Sequence, residues 1–287
     1  MKINAHAKIN LGLDVIGKRA DGYHEVRMIM QTIELHDELE IERIEKGQII
    51  ITTDREDLSV GNDNLIHKAA KLLIDEYDLP GGITVHLKKN IPVAAGLAGG
   101  STDAAATMIA VNKLFGLGLA QEDLMKRGVR IGADVPYCIM GGTALSEGIG
   151  EILTSIGPCP EWRVLIAKPP ASVSTAHVYK SYRADRVTHP DIDKIAEGIR
   201  EGDLKKVAGH MGNVLESVTI PEVADIGYIK EIMADQGYPL MSGSGPTVFG
   251  LFESDDAINR AYERLKETDH VSDLIITSIF DPGKKVD

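Results

Sequence analysis

A glycine-rich stretch, PVAAGLAGGSTDAAA, runs from Pro92 to Ala106 and carries the hydroxyls of Ser101 and Thr102. Lys8 stands among apolar residues near the start of the chain, and Asp134 stands in the sparsely charged run RIGADVPYCIMGG. Glycines let backbone amides approach an anion closely, and a helix beginning near Ser101 would add unpaired N–H groups and the positive end of its dipole. An ammonium beside a carboxylate keeps it ionised, and an ionised aspartate can orient a hydroxyl and take its proton as a phosphoryl group is transferred. The stretch lacks the Lys-Ser or Lys-Thr of a Walker loop and the G-x-G-x-x-G of a dinucleotide loop. The same glycines could instead form a turn that caps an alanine-rich helix, just as Lys8 could be a solvated strand lysine.

Two further segments bear on the choice. SGSGPT at Ser242 to Thr247 is a second glycine-hydroxyl loop; alone it reads as a tight strand connection, but with the first loop it could close on one ligand from both sides. The turn KRADGYHE at Lys18 to Glu25, which carries Tyr23 and His24, reads by itself as a surface turn with ordinary polar residues. Asp103 is expected in the first turn of a helix, where the dipole favours a carboxylate and the role is structural.

These residues need elements to hold them. Ile3 to Val15 alternates with period two, placing His6, Lys8 and Asn10 on one polar face of a strand. Further strands are predicted at 27–35, 38–43, 48–53 and 83–89, and helices at 64–77, 102–115 and 121–130. Ser101 or Thr102 would be the N-cap of the second helix and Gly116 its stop. Asp134 precedes Val135-Pro136 and is placed at a bend. A hairpin at 141–156, a strand at 163–168, several helices between 174 and 236, a helix at 255–267 and a strand at 274–280 complete the pattern. The segment PCPEW at Pro158 to Trp162 marks a boundary between residues 1–157 and 158–287, and the mixture on both sides predicts a two-domain α+β protein.

Composition narrows the partners. The chain has 287 residues, with 31 Lys and Arg against 43 Asp and Glu, a net charge of −12. That field argues against nucleic acid or an anionic membrane as the main partner. No early apolar segment and no run near eighteen apolar residues suggests export or membrane spanning, so a cytoplasmic protein is expected. Cys138 and Cys159 have no metal-ligand or redox spacing and are read as reduced, buried thiols.

Taken together, the segments resemble the GHMP superfamily of small-molecule kinases, named for galactokinase, homoserine kinase, mevalonate kinase and phosphomevalonate kinase. Its pattern P-x-x-x-G-L-x-G-S/G-S-S/T is matched by Pro92, Gly96, Leu97, Gly99, Gly100, Ser101 and Thr102. AKINLGLDVIGKRADGYHEV, IGADVPYCIMGGTA and LMSGSGPTVFGLF resemble the branch that acts on a cytidine-diphosphate-linked alcohol, and they occur in family order across the chain. The resemblance implies two α+β domains with the active site in the cleft between them. It also implies transfer of the γ-phosphoryl of ATP, with Mg²⁺, to the tertiary 2-hydroxyl of a cytidine-diphosphate-linked methylerythritol in the non-mevalonate isoprenoid route.

By matched position, Asp134 is the base and Lys8 its lysine partner. Pro92, Val93, Ala94, Ala95, Gly96, Leu97, Ala98, Gly99, Gly100, Ser101 and Thr102 form the nucleotide loop, and SGSGPT supports it. Asn10, Tyr23 and His24 match the cytidyl side, with Tyr179 as the opposite wall. No acid is singled out as a metal ligand, so those ligands are unassigned, and neither is oligomeric state read. Another GHMP kinase for a smaller alcohol, or a nucleotide sensor that has lost catalysis, are the alternatives. Tyr23 and His24 speak against the first, intact Lys8 and Asp134 against the second.

Overall fold

The computed structural model describes residues 1–283 of the chain. It forms two compact units, and β1 (Lys2–Lys18) and β2 (His24–Ile44) contribute to both. The first comprises Met1–Ala7, Leu35–Ile91 and Ala98–Met140; the second comprises Lys8–Glu34, Pro92–Leu97 and the described residues from Gly141 on.

In the first unit, β3 (Ile49–Thr53), α1 (Leu65–Glu76) and β4 (Gly82–Lys88) make a parallel β-α-β crossover. Asn64 starts α1 as its N-cap, its side chain accepting from the Ile66 amide at 2.8 Å. Strand β2 pairs antiparallel with β4, placing Leu39 opposite Leu87 and Ile41 opposite Val85. These residues pack with Ile66, Ala69 and Leu73 of α1 and with Ala104, Ala105, Met108 and Val111 of α2 (Gly99–Leu114). The alanines of α2 allow it to lie close to its neighbours, so its face is set by size more than by amphipathic patterning. Helices α3 (Gln121–Gly128) and α4 (Val135–Met140) complete this unit.

In the second unit, β5 (Thr143–Glu147) and β6 (Ile152–Ser155) form the expected hairpin, and β5 pairs with β2. A four-stranded antiparallel sheet has the order β10 (Asp273–Ser278), β7 (Arg163–Lys168), β9 (Val248–Phe252) and β8 (Tyr238–Met241). Its centre is continuous apolar sequence: Val164–Ala167 and Val248–Phe252 are buried throughout. Full burial of a side chain such as Phe249 contributes about 1.5–3 kcal/mol. Between β7 and β8 run α5 (Thr175–Ser181), α6 (Ile192–Glu201), α7 (Leu204–His210), α8 (Glu216–Glu222) and α9 (Asp225–Ala234); α9 and the later α10 (Asp255–Lys266) pack on this sheet.

Three expectations change. The two strands expected at 27–35 and 38–43 are one continuous strand, β2. The polar face of β1 divides: Lys8, Asn10 and Asp14 are 5%, 1% and 7% exposed, so Lys8 is no solvated strand lysine, while Asn4 is exposed. Helix α2 starts at Gly99, not near Ser101, and its N-cap Ala98 makes no side-chain cap. Asp103 therefore lies beyond the first turn and is buried instead of facing the dipole from solvent. The end of α2 follows expectation, with Gly116 at φ +66°.

Candidate active site

Lys8 is the best-defined member of the site. Its buried ammonium must be hydrogen-bonded to offset lost hydration. It donates to Asn10 Oδ1 at 2.8 Å and to the Gly96 carbonyl at 3.1 Å. Period-two spacing on β1 brings residues 8 and 10 to one face, so the first of these bonds follows from the strand itself. The second fixes the glycine loop, as does a backbone bond from the Lys8 amide to the Leu97 carbonyl at 3.1 Å.

The Gly96 carbonyl also accepts from Ser242 Oγ at 3.0 Å. One oxygen thus ties the first glycine loop to β1 and to the SGSGPT loop, all in the second unit. Gly96 has φ +73°, and a Cβ on it would overlap the Ser242 carbonyl oxygen. The second loop is braced in turn: Asn213 Nδ2 donates to the Met241 and Gly243 carbonyls, both at 2.8 Å, and Thr219 Oγ1 donates to the Ser244 carbonyl at 3.1 Å. The second-loop motif already marks Ser242, whereas no sequence motif marks Asn213. Its Oδ1 accepts locally from the Leu215 amide at 3.0 Å, but the two carbonyls that its Nδ2 reaches lie 28 and 30 residues away.

The loop also departs from the expected glycine conformations. Ala94 at φ +52° and Ala98 at φ +60° take the left-handed angles, while Gly99 and Gly100 are helical. Left-handed alanine is strained by roughly 1–2 kcal/mol. Without a side-chain cap on α2, the amides at its start are not bonded by an N-cap side chain and are suited to an anion. Ser101 is half-buried, and a Cβ on Gly132 would stand 3.9 Å from its Oγ. The start of α2 and the turn bearing Asp134 are therefore neighbours within the first unit. Asp134 is half-buried and ends that turn, its carbonyl accepting from the Cys138 amide at 3.0 Å in the first turn of α4.

On the expected cytidyl side, Asp21 accepts from the Tyr23 amide at 3.1 Å and shapes the turn between β1 and β2. Tyr23 is 59% exposed, leaving its ring open to a ligand. The rings of His24 and Tyr179 lie 5.3 Å apart and are tilted by 35°. Burial, reinforced by the Lys18 charge, lowers the His24 pKa. A neutral imidazole offers one donor and one acceptor, the pairing that a cytosine edge can use. A groove of about 940 Å³ lined by residues including His67, Lys71 and Arg130 contains none of these side chains and is not assigned to the reaction.

The models of the GHMP kinases N terminal domain and the GHMP kinases C terminal match residues 64–142 and 195–270. The chain is 50% identical over 285 residues to a 4-diphosphocytidyl-2-C-methyl-D-erythritol kinase of Lachnospira eligens, a match that covers 98% of this chain and 99% of the relative. The chain belongs to the GHMP kinase family. A GHMP kinase of Lachnoclostridium phytofermentans with the same name is 48% identical over 98% of each chain. A crystal structure of 4-(cytidine 5'-diphospho)-2C-methyl-D-erythritol kinase matches with a TM-score of 0.84 and 30% identity, covering 98% of this chain and all of that one. As a GHMP kinase the protein is a phosphotransferase with ATP as its donor. Among the described residues, no helix is long and apolar enough to cross a membrane.

Proposed function

We propose that this GHMP kinase transfers the γ-phosphoryl of ATP to the tertiary 2-hydroxyl of 4-diphosphocytidyl-2-C-methyl-D-erythritol, as a cytoplasmic enzyme of the non-mevalonate isoprenoid route. The observation that carries the choice of alcohol is the His24–Tyr179 ring pair beside the exposed Tyr23. A flat base can stack there, whereas mevalonate or homoserine offers nothing to fill it. Full-length relatives named for this activity support the same reading. The domain boundary is proposed near Pro158.

The chain's own groups divide the work. Amides and hydroxyls from Gly96 to Thr102 cradle the triphosphate, which brings Mg²⁺ with it to screen phosphate charge. Asp134 holds the 2-hydroxyl and accepts its proton as the oxygen attacks phosphorus. Lys8, held by Asn10 and Gly96, supplies fixed positive charge as charge shifts toward the leaving ADP. Asn10, Tyr23, His24 and Tyr179 hold the cytidyl group, so binding energy remote from the reacting oxygen positions it.

Purified protein with ATP, Mg²⁺ and the cytidyl substrate should release ADP and form a phosphomonoester, with little turnover of mevalonate or homoserine. Absence of ADP above background would overturn the assignment, and turnover of a small alcohol at a comparable rate would move it to another member of the family. Tyr23→Ala should raise KM for the cytidyl substrate by about 5- to 150-fold, the equivalent of one stacked base. Its KM for ATP should be unchanged, and steady-state titration of each substrate in turn separates the two effects.

A further inference from the structure

The first unit contains a charged cluster that the proposed reaction does not use. Asp37 of β2, Lys89 after β4 and Asp103 of α2 have side chains that are 0%, 4% and 4% exposed. Lys89 Nζ is paired with Asp37 and lies 3.2 Å from Asp103 Oδ2. The other oxygen of Asp37 accepts from the Asn90 amide at 2.7 Å and the Ile91 amide at 2.8 Å. A Cβ on Gly99 would stand 2.8 Å from Lys89 Nζ, so the first residue of α2 lies against the ammonium. Asp103 Oδ1 is buried with no hydrogen-bond partner. Burial pushes the Asp103 carboxyl well above its ordinary value and the Asp37 charge adds to this, while Lys89 opposes both.

Such a cluster is an expensive way to fill a core, because well-packed apolar side chains commonly do so at equal or better stability. What apolar residues lack is direction. Asp37 fixes the main chain just before Pro92, and Lys89 ties that segment to the helix that leaves the loop. We propose that Asp37, Lys89 and Asp103 are positioning residues that clamp the start of α2 to the end of β4 and so hold its amides in place for the ATP phosphates. The inference rests on the assignment of the glycine loop to the triphosphate, and on geometry that closes the cluster on both flanks of that loop.

The test compares three variants of the full chain by steady-state kinetics with ATP and the cytidyl substrate, alongside thermal melting. Asp103→Ala cuts the tie to α2 in an alanine-rich helix that tolerates alanine and leaves Lys89 paired with Asp37. It should raise KM for ATP about tenfold, with KM for the cytidyl substrate unchanged and melting close to wild type. Asp103→Asn keeps the shape and an oxygen acceptor for Lys89, and should restore KM for ATP to within about threefold of wild type. Ser101→Ala, in the loop itself, reports on the underlying assignment. If Ser101→Ala raises KM for ATP while folded Asp103→Ala does not, the clamp is wrong and the loop assignment stands. If neither variant changes it, the loop assignment fails as well. A fall in melting temperature with equal losses for both substrates would reduce the cluster to a structural role and also overturn the inference.

Discussion

Asp134→Asn is expected to lower kcat by about 10²–10⁴-fold while leaving the affinity for an ATP analogue close to wild type. The substitution keeps size and shape and removes only the capacity to take a proton and the negative charge. Its effect on the fold should be small, because Asp134 caps α4 through its main-chain carbonyl, which asparagine retains. The loss belongs in kcat because the proton leaves the alcohol as the oxygen bonds to phosphorus, after both substrates are bound. A loose transition state delays that proton transfer, which favours the lower part of the range. Single-turnover phosphoryl transfer with saturating ATP isolates the step. A variant retaining wild-type kcat would exclude Asp134 as the base. Wild type and variant equally inert, yet both binding ATP, would point to the sensor alternative.

The means of recognising Asp134 show what sequence can and cannot convey here. The glycine-leucine-glycine pattern, the SGSGPT loop and the alternation of β1 are local features, and they mark the main elements correctly. Depth is not local. Alternation places Lys8 and Asn10 together but leaves open whether that part of the face is wet, whereas β1 is buried on both faces from Ala7 to Val15. The capping hydroxyls of Ser101 and Thr102 leave Gly99-Gly100 in the loop on a sequence reading. The helix begins there nonetheless, since Ala98 takes the left-handed turn and Gly99 must pass close to Lys89. Strand β2 runs on through Asp37, whose carboxylate is paired with Lys89 far along the chain, a partner that no local pattern announces. The clamp of residues 37, 89 and 103 has no motif, since each member alone resembles an ordinary surface charge.

Gly96→Ala should be among the most damaging single-methyl additions to this chain, lowering kcat/KM by about a hundredfold or more and destabilising the fold. Two penalties coincide at Gly96. A left-handed φ costs a non-glycine residue roughly 1–2 kcal/mol. Overpacking against the main-chain oxygen of Ser242 adds about 1–3 kcal/mol, because backbone cannot swing aside as a side-chain tip can. Gly116→Ala separates the two, for Gly116 has φ +66° but nothing within 4 Å of an added Cβ. It should show the strain alone, with activity near wild type after correction for folded fraction. The difference between the variants measures the close approach of the two loops at Gly96, and any relaxation that relieves it must shift the carbonyl shared by Lys8 and Ser242. Denaturant melts and kinetics on the same preparations test this coupling. Equal stability losses in the two variants, with full activity in Gly96→Ala, would show that the loops tolerate separation and that the shared carbonyl does not set the geometry for phosphoryl transfer.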